Sequence, residues 1–459
     1  MNISKSIAEK VKLIKSKNIS AVDLINDSIQ NLKNNKSLNI LVTDTFERAK
    51  KMAKIIDSSK SDTKKSLLGI PFTLKDVYVT KDIKTTASSK ILRNYIPPYN
   101  ATVYQKIIDQ GGILIGKTNC DAWGHGASTE NSYFGPTRNP FDTFRVAGGS
   151  SGGSAVSVAA QGGAFDIAED TGGSIRLPSA FCGVVGLKPT YGRVSRYGVI
   201  AFSSSLDTVG PIAKTVEDCA YVLETLSGND PLDATSLPGK VPNYTKFLSK
   251  SIKGKKIGVL RDFFTKELDP EILENINKAI AQFKSMGVVF VDISIPHIMK
   301  AISAYYVIAP AEASSNLARY DGIRYGSKRE DFGLEAKRRI VVGTFSLSSG
   351  YYDAYYKKAQ KIRELFKDSH LDIFKSVDAY ISPVSMSLPF KVGEKFQDPV
   401  KMYLSDVCTV VANLTGIPAI SIPSGFSKSG LPLAFQLSGP PLSESTLLNL
   451  GYIYEQNRK

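Results

Sequence analysis

The run LLGIPFTLKDVYV, residues 67–79, is apolar on both sides of Lys75, and a charge that interrupts such a run marks a strand at the core of a sheet. A snorkelling surface lysine does not fit that setting. Outward from it the chain alternates between short apolar, strand-like runs and longer amphipathic segments. The runs are Ile113–Ile115, Ile257–Leu260, Val288–Val291, Ala379–Ile381 and Ala419–Ile422, and the segments include 269–286 and 352–367. Ahead of Lys75, residues 4–17 and 21–36 carry helix-spaced apolar positions. This alternation is the layout of an α/β protein.

The stretch 228–254 is polar, holds three prolines, and reads as a long connection, either an internal boundary or a link between two halves of one sheet. No fixed-period repeat or low-complexity tract is present, so solenoids and propellers lose support. The 459 residues, 42% hydrophobic and 22% charged, are enough for a large core and argue against wholesale disorder or coiled coil.

The 58 Lys+Arg against 43 Asp+Glu give a net charge of +15, but the excess is lysine scattered along the chain. Solvated faces explain it better than a dedicated RNA groove, which favours clustered arginines and aromatics. Cys120, Cys182, Cys219 and Cys408 lie far apart and form no CxxC pair, which points to a reducing cytosol and away from zinc or disulfides. No apolar stretch approaches the ~20 residues that span a bilayer, so no membrane segment is expected.

Three readings compete for the glycine- and serine-rich region 111–196. Gly111 to Thr118 fits a phosphate loop formally, yet its spacer holds Ile113-Leu114-Ile115 and reads as a buried strand ending at Lys117. Gly148-Gly149-Ser150-Ser151-Gly152 as a hydrolase elbow needs a preceding strand and a histidine base. FDTFRVA at 141–147 is no core strand, and His297 and His370 read as surface residues, leaving only His125. The third reading needs no histidine, because a buried lysine with a lowered pKa can activate a serine. Lys75 is such a lysine. The loops Ala147–Ser154 and Asp170–Arg176 have the glycine density that lets backbone amides converge on an oxyanion, with Thr171, Gly172 and Gly173 as donors and Ser174 as attacking group.

GIPFTLKD at 69–76, AGGSSGGSAVSVAA at 147–160 and DTGGSIRLPSAFCGVVGLKPTYGRVS at 170–195 closely resemble the amidase signature family. The resemblance implies an α/β/α domain with a mixed central β-sheet covered by helices on both faces. It also implies a Ser-Ser-Lys triad: Ser174 as nucleophile, Ser150 as proton relay on a cis peptide, and Lys75 as ultimate base and later acid. Four further stretches, 119–142, 196–211, 312–326 and 335–363, resemble the branch of that family that serves tRNA-dependent amidotransferases. In that branch glutamine is hydrolysed and its ammonia passes to a partner that amidates misacylated Glu-tRNA(Gln) or Asp-tRNA(Asn).

A free amino acid presents a carboxylate and an ammonium, best held by a fork-shaped Arg and by an Asp. Arg339 and Asp406 fall at the family's glutamine-binding positions, with Arg338 as the other register, and Tyr305 matches an aromatic of that pocket. The resemblance implies no metal or cofactor in this chain, with ATP and Mg²⁺ used by the partner. The implied assembly is a cytoplasmic heterotrimer whose other members are a kinase/tRNA-binding subunit, which is that partner, and a small linker subunit.

The implied layout is a single domain over 1–459. It has a helical segment over 1–60, a core over 67–225, the connection 228–254, and a glutamine-pocket half over 255–459. Departures from the family pattern are Ala168-Glu169 in place of Gly-Ser, Leu177 in place of glutamine, a short 327–334 segment, and Trp123-Gly124-His125. Glu169 is expected to point away from the site or to pair with a cation such as Arg176. The alternatives are a stand-alone amidase for another small amide, a non-catalytic assembly subunit, and a direct RNA-binding protein.

Overall fold

The computed structural model describes residues 5–59, 64–320 and 326–458. Residues 321–325, within the 312–326 stretch, and the ends of the 1–60 and 255–459 segments lie outside them. Eleven strands among the described residues form one mixed sheet. They are β1 (Leu41–Asp44), β2 (Pro71–Lys75), β3 (Ile113–Thr118), β4 (Phe165–Asp170), β5 (Val185–Lys188), β6 (Thr208–Ala213), β7 (Lys256–Leu260), β8 (Val289–Ile293), β9 (Ala379–Pro383), β10 (Ala419–Phe426) and β11 (Pro432–Ser438). Their order is β1-β3-β2-β4-β6-β5-β10-β11-β9-β7-β8.

β2 runs parallel to β3 on one side and to β4 on the other, so all three end at the same edge. Ligand sites in α/β sheets form outside such carboxyl ends. The run at 67–79 thus supplies a fully buried inner strand, and Lys75 is its last residue. The formal phosphate loop is β3, buried throughout, with Lys117 inside it. The connection 228–254 holds one 3₁₀ turn, Thr245–Phe247, and leads from the first half to β7. The two halves meet where β5 pairs antiparallel with β10.

Helices cover both faces. Pro270–Ser285 packs with β9, β10 and β11, and its Phe283 shares a core with Phe72 of β2 and Phe435 of β11. On the other side Ile25 and Ile29 of helix Ala21–Asn34 pack with Val156 of helix Gly152–Ala159 and Ile115 of β3. A further cluster joins helix Ala301–Leu317 to Leu260, Tyr380 and Val410.

Three sequence expectations are corrected here. The stretch 1–60, read as helical, also gives β1, which extends the sheet beside β3. The amphipathic segment 352–367 opens as a π-helix, Tyr352–Lys357, before helix Lys358–Ile373. His370, read as a surface residue, is buried, its ring nitrogens facing the Phe366 carbonyl at 2.7 Å and the Tyr380 hydroxyl at 3.2 Å. Asp368 and Asp372, two residues to either side, are exposed on the opposite face of its helix.

Candidate active site

At the end of β2 the Lys75 Nζ donates to Ser150 Oγ at 2.7 Å. Both side chains are fully buried. Ser150 follows a cis peptide from Gly149 and precedes helix Gly152–Ala159. Its loop is pressed against the segment after β3: a Cβ on Gly149 would stand 2.2 Å from Asp121 Oδ2 and 2.5 Å from the Ser128 amide, so only glycine fits. The Thr129 hydroxyl donates to the Gly148 carbonyl at 2.9 Å and accepts the Gly152 amide at 3.0 Å, which fixes the loop from outside.

The second loop hangs from the end of β4. Asp170 organises it, taking the Gly173 amide at 2.8 Å, the Ile175 amide at 3.1 Å and the Arg176 guanidinium through two nitrogens at 3.0 and 3.1 Å. Burial works against the Asp170 charge, but the Arg176 guanidinium holds the carboxyl down at about 2. Ser174 sits on this loop and keeps 7% exposure where Lys75 and Ser150 keep none, as a group that meets an incoming substrate should. Of the three amides expected as oxyanion donors, the Gly173 N–H is engaged by Asp170. The ordering of this loop by Asp170, Asn413 and Thr409 was not read from the sequence. Asn413 donates to the Asp170 carbonyl at 2.8 Å and Thr409 to the Gly172 carbonyl at 2.6 Å. Their partners lie more than two hundred residues away, and no local pattern announces them.

Glu169 does pair with a cation, but the cation is Lys75 and not Arg176, with Oε2 2.9 Å from Nζ. Side chains alternate across a strand, so neighbours on β4 face opposite sides. Asp170 takes Arg176 on one face, and Glu169 meets the adjacent strand's lysine on the other. The lowered pKa expected of Lys75 is corrected: burial is the strongest single influence and lowers it, but the Glu169 charge and hydrogen bond, together with Cys120 and Asp121, turn the net shift upward.

Beyond these loops a cavity of about 240 Å³ is lined by His125, Asn131, Tyr306, Arg339 and Tyr403 among others. That is below the roughly 300–1,000 Å³ of drug-sized sites and suits a small ligand. Arg339 is buried, whereas the Arg338 side chain is one-third exposed. The Arg339 guanidinium lies 5.1 Å from the ring centres of Phe202 and Tyr306 and 5.4 Å from that of Tyr403. Its Nε donates to Glu335 at 3.0 Å, while Nη1 is buried without a partner. Asp406 accepts the Tyr306 hydroxyl at 3.0 Å, and burial lifts its carboxyl to about 7. Tyr305 lies against the second loop, where a Cβ on Gly172 would stand 2.7 Å from its hydroxyl oxygen.

Of the departures flagged in the sequence, His125 and residues 332–334 of the short segment line this cavity. His125 is buried with neither ring nitrogen hydrogen-bonded, its ring 4.4 Å from that of Phe202. Burial first, and the Arg339 charge second, hold its pKa well below the ordinary range, so the ring is neutral. Trp123, at φ +64°, packs at a tilt against Tyr320 and against Phe332 of the short 327–334 segment. Leu177 replaces an expected polar residue by packing with Ala127, Val146 and Phe181. Among the described residues no group of three His, Cys, Asp or Glu side chains stands together as a metal site requires.

The family model described as Amidase matches residues 23–448. Over 473 residues the chain is 48% identical to the A subunit of glutamyl-tRNA(Gln) amidotransferase from Caldanaerobacter subterraneus subsp. tengcongensis, covering 99% of this chain and 97% of that one. It is 49% identical to the protein of the same name from Carboxydothermus hydrogenoformans, over 99% of this chain and 96% of the relative. Among solved structures, the A subunit of glutamyl-tRNA(Gln) amidotransferase from Thermotoga maritima superposes with a TM-score of 0.86 at 38% identity. That match covers 100% of this chain and 95% of the other.

Proposed function

The chain belongs to the amidase family, and on that premise we propose that it is the glutamine-hydrolysing subunit of a tRNA-dependent amidotransferase. Lys75, as the free amine, takes a proton from Ser150 while Ser150 takes one from Ser174. The Ser174 oxygen attacks the carboxamide carbon of glutamine, and the Thr171 and Gly172 amides stabilise the oxyanion. Collapse breaks the C–N bond, and the proton returned through Ser150 leaves with ammonia. Water then attacks the glutamyl ester, and glutamate departs. Arg339 takes the substrate carboxylate with its unpaired Nη1, Asp406 takes the ammonium, and Tyr305 packs beside the reacting carbon.

The 2.7 Å contact between Lys75 and Ser150 at the mouth of the Asp170-ordered loop carries this reading. The nearly full-length similarity to amidotransferase subunits supports the destination of the ammonia. That destination is a partner subunit that binds tRNA and uses ATP and Mg²⁺ to convert Glu-tRNA(Gln) or Asp-tRNA(Asn), with a small linker subunit completing a heterotrimer in the bacterial cytoplasm. No helix of the described residues is long and apolar enough to cross a membrane. The test is ammonia and glutamate release from glutamine, in wild type and Ser174→Ala. The variant is expected to lose about a thousandfold or more of the activity, as removal of an acyl-transfer nucleophile does. Undiminished release would overturn the assignment.

A further inference from the structure

An ammonium has three donors and no acceptor, whereas a lysine acting as base must offer a lone pair. Three oxygens surround Lys75 Nζ: Ser150 Oγ at 2.7 Å, Glu169 Oε2 at 2.9 Å and the Glu169 carbonyl at 3.3 Å. An ammonium would satisfy all three with its three N–H groups and would then have no lone pair facing Ser150. We infer that Glu169 holds Lys75 as its ammonium in the resting site, so that the hydrolase works only as pH rises into the alkaline range or as the Lys75–Glu169 contact opens. The inference rests on the reading of Lys75, Ser150 and Ser174 given above and adds a restraint on it.

The surroundings keep Glu169 as the charged partner. Its Oε1 accepts the Thr171 hydroxyl, and that hydroxyl also lies 2.7 Å from Asp207 Oδ1. One hydroxyl hydrogen cannot serve two carboxylates, so one contact is carried by a carboxyl proton. Asp207 is the protonated member, since burial and then the Glu169 charge push its carboxyl well above the usual range. Asp207 therefore donates to Thr171, Thr171 donates to Glu169, and Glu169 is left to accept from Lys75.

The other groups around the lysine do not take over this part. Asp166 of β4 has its carboxyl lifted to about 7 by burial, and its Oδ2 is bonded to Thr73 and Thr118. Asp121 after β3 is likewise lifted to about 7 by burial, and it accepts the Ser128 and Thr129 amides. Burial pushes the neighbouring Cys120 thiol up to about 12. Asp76 answers Lys117 at 3.3 Å.

The experiment labels Ser174 with a fluorophosphonate, forming the serine O–P bond and expelling fluoride while the serine proton passes to the relay. The rate is followed by peptide mass spectrometry from pH 6 to pH 10 in wild type, Glu169→Ser and Glu169→Gln, with Ser174→Ala as control. Glu169→Gln keeps the shape of the side chain should the smaller variant fail to fold. Removing the carboxylate is expected to move the rising limb at least about one pH unit toward neutrality and to speed labelling at pH 7 about tenfold, the change that one unit of base pKa brings. Glutamine hydrolysis is expected to follow the same shift. An unmoved limb, or variants slower than wild type at every pH, would overturn the inference, the latter by making Glu169 a proton acceptor. Label retained by Ser174→Ala would overturn the nucleophile assignment and this inference with it.

Discussion

His370 lies between the Phe366 carbonyl and the Tyr380 hydroxyl, and burial lowers its pKa from 6.5 to about 4. The unfolded chain therefore binds the extra proton between those values, so this residue's contribution is present above the unfolded pKa and is lost as pH falls toward 4. Relative to His370→Gln, wild type is expected to lose roughly 2 kcal/mol of stability between pH 7 and pH 5, read from urea unfolding at both pH values. A constant difference between the two proteins would contradict the buried, neutral ring. At this scale the sequence spoke clearly where one residue broke a strong pattern. Lys75 interrupts an apolar run, and only burial beside a partner accounts for it. It spoke poorly where the answer depended on which of two faces a residue takes. Glu169 and Asp170 are adjacent carboxylates with two cations in reach. Only the pairing of β4 with β2 decides that Asp170 takes Arg176 and Glu169 takes Lys75.

Among elements, the close pair is helix Ala301–Leu317, which carries Tyr305 and Tyr306, and helix Leu334–Ser346, which carries Arg339. They touch at Gly343, where a Cβ would stand 1.9 Å from the Pro310 carbonyl oxygen. Backbone cannot yield as a side-chain tip can, so Gly343→Ala must push the helices apart and shift Arg339 against its aromatic neighbours. Ser174, Ser150 and Lys75 lie on other elements. The expected outcome is a KM for glutamine raised about tenfold with kcat changed by less than about threefold, the pattern of lost ground-state binding. An unchanged KM would contradict the placement of the pocket on this helix pair. The strands that sequence reading found are uninterrupted apolar runs such as Ile257–Leu260. β4, with the sequence FDIAED, was not found although it is central and fully buried, because three of its six residues are acidic. Those acids are partnered by Thr73, Lys75 and Arg176, and a functional site is where pattern rules fail.

Across the whole molecule, the reacting groups come from the first half of the chain, and Tyr305, Arg339 and Asp406 come from the second. They are joined through the β5–β10 pairing and through Asn413 and Gln436, which reach Asp170 and Arg176. Motifs dense in glycine and serine made the first half legible in the sequence. The second half was legible only by resemblance, because a buried arginine at one position of a helix looks in sequence like any charged helical residue. On the function proposed above, this chain releases ammonia for a partner to use. The complex reconstituted with its partner subunits, ATP, Mg²⁺ and Glu-tRNA(Gln) tests it, with either glutamine or ammonium chloride as nitrogen donor. Ser174→Ala is expected to abolish amidation from glutamine and leave amidation from ammonium chloride intact. Amidation from glutamine that survives in Ser174→Ala would contradict the claim.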